Sequence, residues 1–454
     1  MDKYLSRSID QVLLEWKDNP RRKPLLVRGA RQVGKSSTIR HLGKNFKYFL
    51  EVNVERNPEV MEFFKGSRDV KSIAAKLSDF FNVPVVPGET LLFLDEIQKC
   101  EDVIHSLWFF KEDYPELHVI AAGSLLEFAL KNLSSFGVGR VSSLFVYPMS
   151  FDEFLTATGQ EGLLRTKRNS SPTNPLPEAF YNRLVEAFRS YMLVGGMPEA
   201  VATYTETGSY RYSSDIVNEI IQGYQDDFAK YGAKANPLLL RQTLISVAHQ
   251  AGAKFVCSRV EGQYRSAEVK VALEMLKDAG LIIPTYHTDA NGVPLGAEIN
   301  ERVVKYLIHD TGVLLGILGI DDDIDERIKE MMVADSIDLV DKGHVAEMMA
   351  GLELIKYSSP QTRHQLYYWQ NMNKGTCAEV DYVIARSGSI VPIEVKSGVK
   401  GSMSSMYSLM RNPQKHIEMG IRCSLENFGT FASPDGKKID IIPLYAISNL
   451  FAEK

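Results

Sequence analysis

The apolar positions in the first third of the chain fall into short, nearly continuous runs. Residues 24–28 (PLLVR), 91–94 (LLFL) and 117–121 (LHVIA) show little alternation, the mark of strands buried on both faces. Residues 47–54 (KYFLEVNV) alternate as a half-covered strand does, and 143–147 (SLFVY) supply a further strand. Helical spacing separates these runs. Ahead of them, Leu5, Ile9, Leu13, Leu14 and Trp16 line one face of an amphipathic helix within residues 1–23. Strands alternating with helices predict a parallel sheet joined by right-handed crossovers.

The middle of the chain has a different texture. Residues 167–177 (KRNSSPTNPLP) are rich in Ser, Asn and Pro and predict a loop. The segment 178–204 keeps helical spacing except at Gly195-Gly196-Met197-Pro198, which predicts a bend rather than a site. From about residue 206 helices dominate. Residues 237–251 are amphipathic, and 266–279 place Val269, Leu273 and Leu276 on one face, with Gly280 where a C-cap glycine belongs. A strand at 281–286, a turn at Asn291-Gly292 and a return at 298–300 follow. Helix, helix and hairpin in that order predict a winged helix. From Lys254 to Gly280 five Lys or Arg stand against four Asp or Glu, a net charge of 5 − 4 = +1. Such a fold suits packing or protein contact at least as well as reading DNA.

In the last third, 344–354 has helical spacing and 365–369 (QLYYW) reads as a strand. Residues 379–384 open with acids and continue as a strand, and 390–396 (IVPIEVK) form another. A helix at 403–409 and a strand at 421–424 complete the run.

Composition narrows the class without naming a function. The 454 residues allow two to three domains, each with its own core. At 44% hydrophobic and 24% charged, the chain has the make-up of an ordinary soluble globular protein. A net charge of −5 argues against wholesale polyanion binding and leaves room for local basic patches. Cys100, Cys257, Cys377 and Cys423 show no C-x-x-C spacing, so neither a disulfide framework nor a zinc site is expected, which suits a reducing cytoplasm. The first residues lack a signal-peptide core, and no apolar stretch approaches the ~20 residues that span a bilayer. The expectation is a cytoplasmic protein without membrane contact.

Two constellations carry chemistry. Gly29-Ala30-Arg31-Gln32-Val33-Gly34-Lys35-Ser36 follows the P-loop pattern G-x4-G-K-[ST], between a strand and a helix that runs from Ser37. The glycines let successive N–H groups turn toward phosphate oxygens, with the helix dipole behind them. Lys35 is placed for the β- and γ-phosphates, and the Ser36 hydroxyl for Mg²⁺. At the end of the 91–94 strand, Asp95 is positioned to hold Mg²⁺ through water and Glu96 to act as general base toward the attacking water. The paired acids, and the lack of an N-K-x-D guanine signature, favour ATP over GTP. Ser124, after the 117–121 strand, is a candidate to orient that water. Arg140, before the 143–147 strand, is a candidate γ-phosphate contact, within its own chain or across a subunit boundary.

The second constellation lies near the C-terminus. Glu347 on a helix, Asp381 opening one strand, and Glu394 and Lys396 two apart on the next follow the order of a PD-(D/E)xK nuclease core. Alternation places Glu394 and Lys396 on one face of their strand. Glu347, Asp381 and Glu394 would offer carboxylate oxygens to Mg²⁺ or Mn²⁺, and Lys396 would assist a metal-bound water or neutralise charge at phosphorus.

Taken together, VRGARQVGKSS at 27–37, LLFLDEIQ at 91–98, AAGSLLEF at 121–128, GRVSSLFVYPMSFDEF at 139–154, GGMPEAV at 195–201 and EVDYVIARSGSIVPIEVKSG at 379–398 resemble a large prokaryotic family of AAA-type ATPases. In that family a P-loop domain precedes a winged helix and a nuclease-like fold. The resemblance implies an α/β chain with a P-loop NTPase parallel-sheet domain at 1–205. A helical, winged-helix-like domain would follow at 206–325, and a restriction-endonuclease-like α/β domain at 326–454. It also implies ATP and Mg²⁺ as cofactors. The partners these readings suggest are DNA or RNA, and a protein partner or further copies of the chain. Two functions stay open: an ATP-driven enzyme with a metal-dependent nuclease, and a nucleotide-switched interaction module whose C-terminal fold only binds.

Overall fold

The computed structural model describes residues 4–132, 139–231, 236–319, 342–371, 378–398 and 401–451. Cys377 and the expected boundary at 325/326 lie outside these residues. The chain divides into two compact units. The first comprises Met1–Pro148 together with Asp278–Leu281 and Ser359–Arg363, and the second comprises Met149–Lys277, Ile282–Ser358 and His364–Lys454.

The first unit is built on five parallel strands: β1 (Leu25–Arg28), β2 (Tyr48–Asn53), β3 (Thr90–Asp95), β4 (His118–Ala122) and β5 (Ser142–Phe145). Their order across the sheet is β2-β3-β4-β1-β5. Every pairing is parallel, so all five strands end on the same edge. Each residue of β3 is buried, which explains why its sequence is a continuous hydrophobic run rather than an alternating one. Leu92, Leu94, Val52, Ile73, Leu77 and Leu107 meet in one core between the sheet and its helices. The N-terminal helix, Ile9–Asp18, is shorter than the amphipathic pattern suggested and buries Ile9 and Leu13.

The second unit begins with helices. Glu178–Val194 and Pro198–Thr207 are separated at the predicted bend. The bend is a close crossing of backbones. Met149 N–H donates to the Gly196 carbonyl at 2.6 Å, and a Cβ on Gly196 would fall 2.2 Å from the Met149 carbonyl oxygen. Asp310 accepts from Gly196 N–H at 2.6 Å and, through its other oxygen, from Val313 N–H, capping the helix Thr311–Ile317. The expected boundary at 205/206 falls inside the helix Pro198–Thr207, which buries Ala200 and Val201.

Helices Pro237–His249 and Ser266–Asp278 precede a hairpin of β6 (Ile282–Thr288) and β7 (Ile299–Ile308). This hairpin is wider than the sequence suggested, because β6 also pairs in parallel with β8 (Leu366–Gln370). With β9 (Glu379–Val380) they form a sheet of order β7-β6-β8-β9. A second sheet, β10-β11-β12-β14-β13, uses β10 (Tyr382–Arg386), β11 (Ser389–Val395), β12 (Met419–Ser424), β13 (Gly429–Ala432) and β14 (Lys438–Pro443). Asp381 is the single residue between β9 and β10, where the chain leaves one sheet for the other.

A buried polar hub ties the helices of this unit together. Lys167 is fully buried, with its ammonium on Asp152 and on the Ser448 hydroxyl at 2.7 Å. Burial alone would raise the Asp152 carboxyl, but Lys167 overcomes it and holds it below the usual range. Beside this pair, the Tyr191 hydroxyl shares its one proton between Glu353 and the Met149 carbonyl, and Lys356 donates to the Tyr191 oxygen. No described helix is long and apolar enough to cross a membrane.

Candidate functional site

The loop after β1 is shaped by its glycines. Gly29 has φ +147°, and a Cβ there would lie 2.1 Å from the Val146 carbonyl oxygen. Gly34 sits in the left-handed region at φ +93° and starts the helix Lys35–Gly43, two residues earlier than the sequence suggested. Thr38 N–H makes the first bond back to Gly34, at 3.0 Å. The N–H groups of Lys35, Ser36 and Ser37 therefore face out of the helix end, as anion-binding donors do. Ala30 and Val33 are buried while Arg31 and Gln32 are exposed, so backbone rather than side chains forms the inner wall of the loop.

Lys35 is buried, and its ammonium donates to the carbonyls of Gly29 at 2.9 Å and Ala30 at 2.6 Å. Burial pushes its pKa down to about 8, against the pull of Glu96 and Asp95. The Ser36 hydroxyl donates to an Asp95 carboxylate oxygen at 3.1 Å. Burial and the neighbouring Glu96 raise the Asp95 carboxyl. Strand order explains this convergence: β4 lies between β1 and β3, so its C-terminal end opens between the loop and the acids. Ser124 stands there, and its hydroxyl donates to Glu96 at 3.1 Å. Gln98 donates to the same Glu96 oxygen. Glu96 itself has φ +54°, a left-handed conformation uncommon for a residue with a side chain.

Arg140 requires a correction. It precedes β5, so it lies at the N-terminal edge of the parallel sheet, opposite the edge that carries Lys35, Asp95 and Ser124. Its guanidinium pairs with Glu112 at 2.7 Å and lies over the Trp108 ring at 4.2 Å. A γ-phosphate contact within its own chain is ruled out by strand direction. An arginine that does lie on that edge is Arg28, at the end of β1, whose guanidinium is held by Glu127. Arg363 approaches the same carboxylate at 3.7 Å.

The second cluster gathers at the junction of the two sheets of the second unit. Tyr382 pairs with Ile393 in the antiparallel β10–β11 ladder, which sets Asp381 opposite Glu394 and on the same face. Asp381 accepts from Val395 N–H at 2.7 Å. Lys396 donates to Glu394 at 2.6 Å, while the other Glu394 oxygen is buried without a hydrogen-bond partner. Burial raises the Asp381 carboxyl well above the usual range, with Glu347 and Glu394 adding to it. Burial also raises Glu394, and Lys396 opposes that rise.

The sequence motif did not contain Lys305. This residue sits on β7, 1% exposed, and bonds to Glu347 at 2.8 Å and to Glu379. Burial alone would lower its ammonium, but the Glu347 and Glu379 carboxylates overcome that and hold it above the ordinary lysine range. Its signal was a lone lysine inside an apolar strand, Val303-Val304-Lys305-Tyr306-Leu307. Glu347, Asp381 and Glu394 thus lie in one electrostatic neighbourhood. Among the described residues, however, no group of three or more His, Cys, Asp or Glu side chains is arranged to hold a metal ion. In place of the expected centre of three convergent carboxylates, Glu347 is paired with Lys305 and Glu394 with Lys396, while Asp381 accepts from Val395 N–H.

Comparison with known families places these features in order. A family model for an AAA domain matches residues 21–155, which contain β1 to β5, the loop and both acids. Residues 185–324 match a domain of unknown function (DUF8612), and 342–447 match another (DUF4143). No curated protein matches the chain. Among solved structures, the Aeropyrum pernix Orc1 protein in complex with DNA aligns at 13% identity over 71% of this chain and 94% of its own, with a TM-score of 0.30.

Proposed function

We propose that this chain is a Mg²⁺-dependent ATPase whose nucleotide cycle gates a C-terminal, nuclease-like fold that engages nucleic acid. The observation that carries the ATPase half is the meeting of Lys35, Ser36, Asp95, Glu96 and Ser124 at one edge of a parallel sheet. Ser36 and Asp95, already joined by a hydrogen bond, suit the oxygen-rich coordination of Mg²⁺. The ion would neutralise phosphate charge there. Lys35, protonated when phosphate is bound, supplies a positive charge to the β- and γ-phosphates. Glu96 takes the proton of the attacking water, and Ser124 and Gln98 hold its carboxylate in one orientation. The unusual backbone of Glu96 fits a residue held in a set pose at a reactive edge.

Two variants test this. Lys35→Ala is expected to abolish tight ATP binding. Glu96→Gln keeps shape and hydrogen bonding, so it is expected to bind ATP normally while phosphate release slows about 100-fold or more. Equal loss of binding in both would remove Glu96 from the base role.

For the C-terminal half, a hairpin behind two helices supports a winged-helix-like segment. The common face of Asp381 and Glu394 supports a nuclease-like core. A second reading, in which this fold binds without cutting, is favoured by the lysines that already pair the acids. Nicking of a DNA or RNA substrate with Mg²⁺ or Mn²⁺, with and without ATP, separates the two: cleavage lost in Asp381→Ala supports the enzyme, and binding without cleavage supports the module.

A further inference from the structure

The acidic cluster of the second unit contains Glu347, Glu379, Asp381 and Glu394, contributed by a helix, two strands and the corner between sheets. Carboxylates gathered at low dielectric repel and require a counter-charge. One is present. The Lys305 ammonium is shared by Glu347 and Glu379 and lies 4.9 Å over the Tyr368 ring. It also acts as a counter-charge on Asp381. Lysine is seldom so deeply buried unless paired, and this one arrives from β7, a strand outside the helix-strand-strand motif that carries the acids.

We propose that Lys305 is a tethered counter-cation, filling the charge-neutralising role that a divalent ion has in a nuclease site, so that this cluster is assembled without metal. The proposal rests on the nuclease-like reading of the C-terminal fold and specifies its regulation. Two observations carry it together: a lysine bridging two of the acids, and a Glu394 oxygen that stays buried and unpartnered beside them. Asp381 and Glu394 share a face; Lys396 pairs with one Glu394 oxygen, and the other Glu394 oxygen together with Asp381 could accept a cation once Lys305 is withdrawn.

The test is Mn²⁺ binding to the full chain without nucleotide, followed by loss of the free-Mn²⁺ electron paramagnetic resonance signal. Asp381→Asn is used to identify binding at this cluster. The wild type is expected to show no Mn²⁺ binding that Asp381→Asn removes. Lys305→Met is expected to gain one saturable Mn²⁺, lost again when Asp381→Asn is added. Because Lys305→Met leaves buried acids unpaired, the double variant Lys305→Met/Glu379→Gln is measured alongside; it removes the lysine with one of its partners and keeps Glu347, Asp381 and Glu394. Wild-type Mn²⁺ binding that depends on Asp381, together with cleavage, would overturn the proposal and leave the nuclease-like reading intact. Folded variants that gain no Mn²⁺ would overturn both.

Discussion

Lys35 shows how one side chain ties this fold to solution conditions. Its ammonium is buried against loop carbonyls, with a pKa near 8 in the free protein. Phosphate oxygens would raise that value, so binding takes up a proton wherever the free lysine is partly neutral. By linkage, ATP affinity is expected to be flat below about pH 8 and to fall as pH rises through that value, while Lys35→Arg flattens the profile. Titration calorimetry in buffers of different ionisation enthalpy, at pH 7 and pH 9, reads the proton directly; no uptake at pH 9 would refute the argument. The same residue marks what sequence can tell. Lys35, Asp95 and Glu96 were legible because a contiguous loop and a contiguous strand carry them. Lys305 was not, because its partner Glu347 lies 42 residues away and only folding brings the two together. Arg140 misled for a related reason: adjacency to a strand says nothing about which end of the sheet it occupies until strand direction is fixed.

Secondary-structure elements were legible wherever period and punctuation agreed, as at β3 or at the Gly195-Gly196 break. Their partners were not. Nothing local announces that β6 pairs with β8, or that Asp310 serves two elements at once by capping Thr311–Ile317 and holding Gly196. Asp310→Ala is therefore expected to cost about 2–4 kcal/mol, more than a cap alone, because it also leaves a buried N–H unpaired. Urea unfolding of the second unit measures this. A larger effect belongs to the buried pair between the helix Phe151–Ala157 and the helix Glu161–Arg168. Asp152→Ala strands the Lys167 charge and is expected to destabilise by about 3–5 kcal/mol, whereas Asp152→Leu/Lys167→Met should recover most of that. If the double variant is no better than the single one, the cost is packing rather than charge.

At the scale of the whole molecule, the chain enters the nucleotide-binding unit three times. Asp278–Leu281 and Ser359–Arg363 belong to it although nearly all of their sequence neighbours do not. Gly280 packs on Ala30 of the phosphate loop, and the Pro360 carbonyl accepts from Phe145 N–H at 2.8 Å on β5. A fragment ending at Pro148 keeps every strand of the sheet yet loses both segments. It is expected to melt at a lower temperature and to bind ATP more weakly than the full chain, as thermal denaturation with and without nucleotide can measure. Equal melting would show that the returning segments contribute nothing. The same threading has a consequence during synthesis. At about 5–20 residues per second, Pro360 emerges from the ribosome roughly 10–40 s after β5. Over that interval the Phe145 N–H of the edge strand β5 waits for its partner, a donor of the kind that neighbouring nascent chains can pair with.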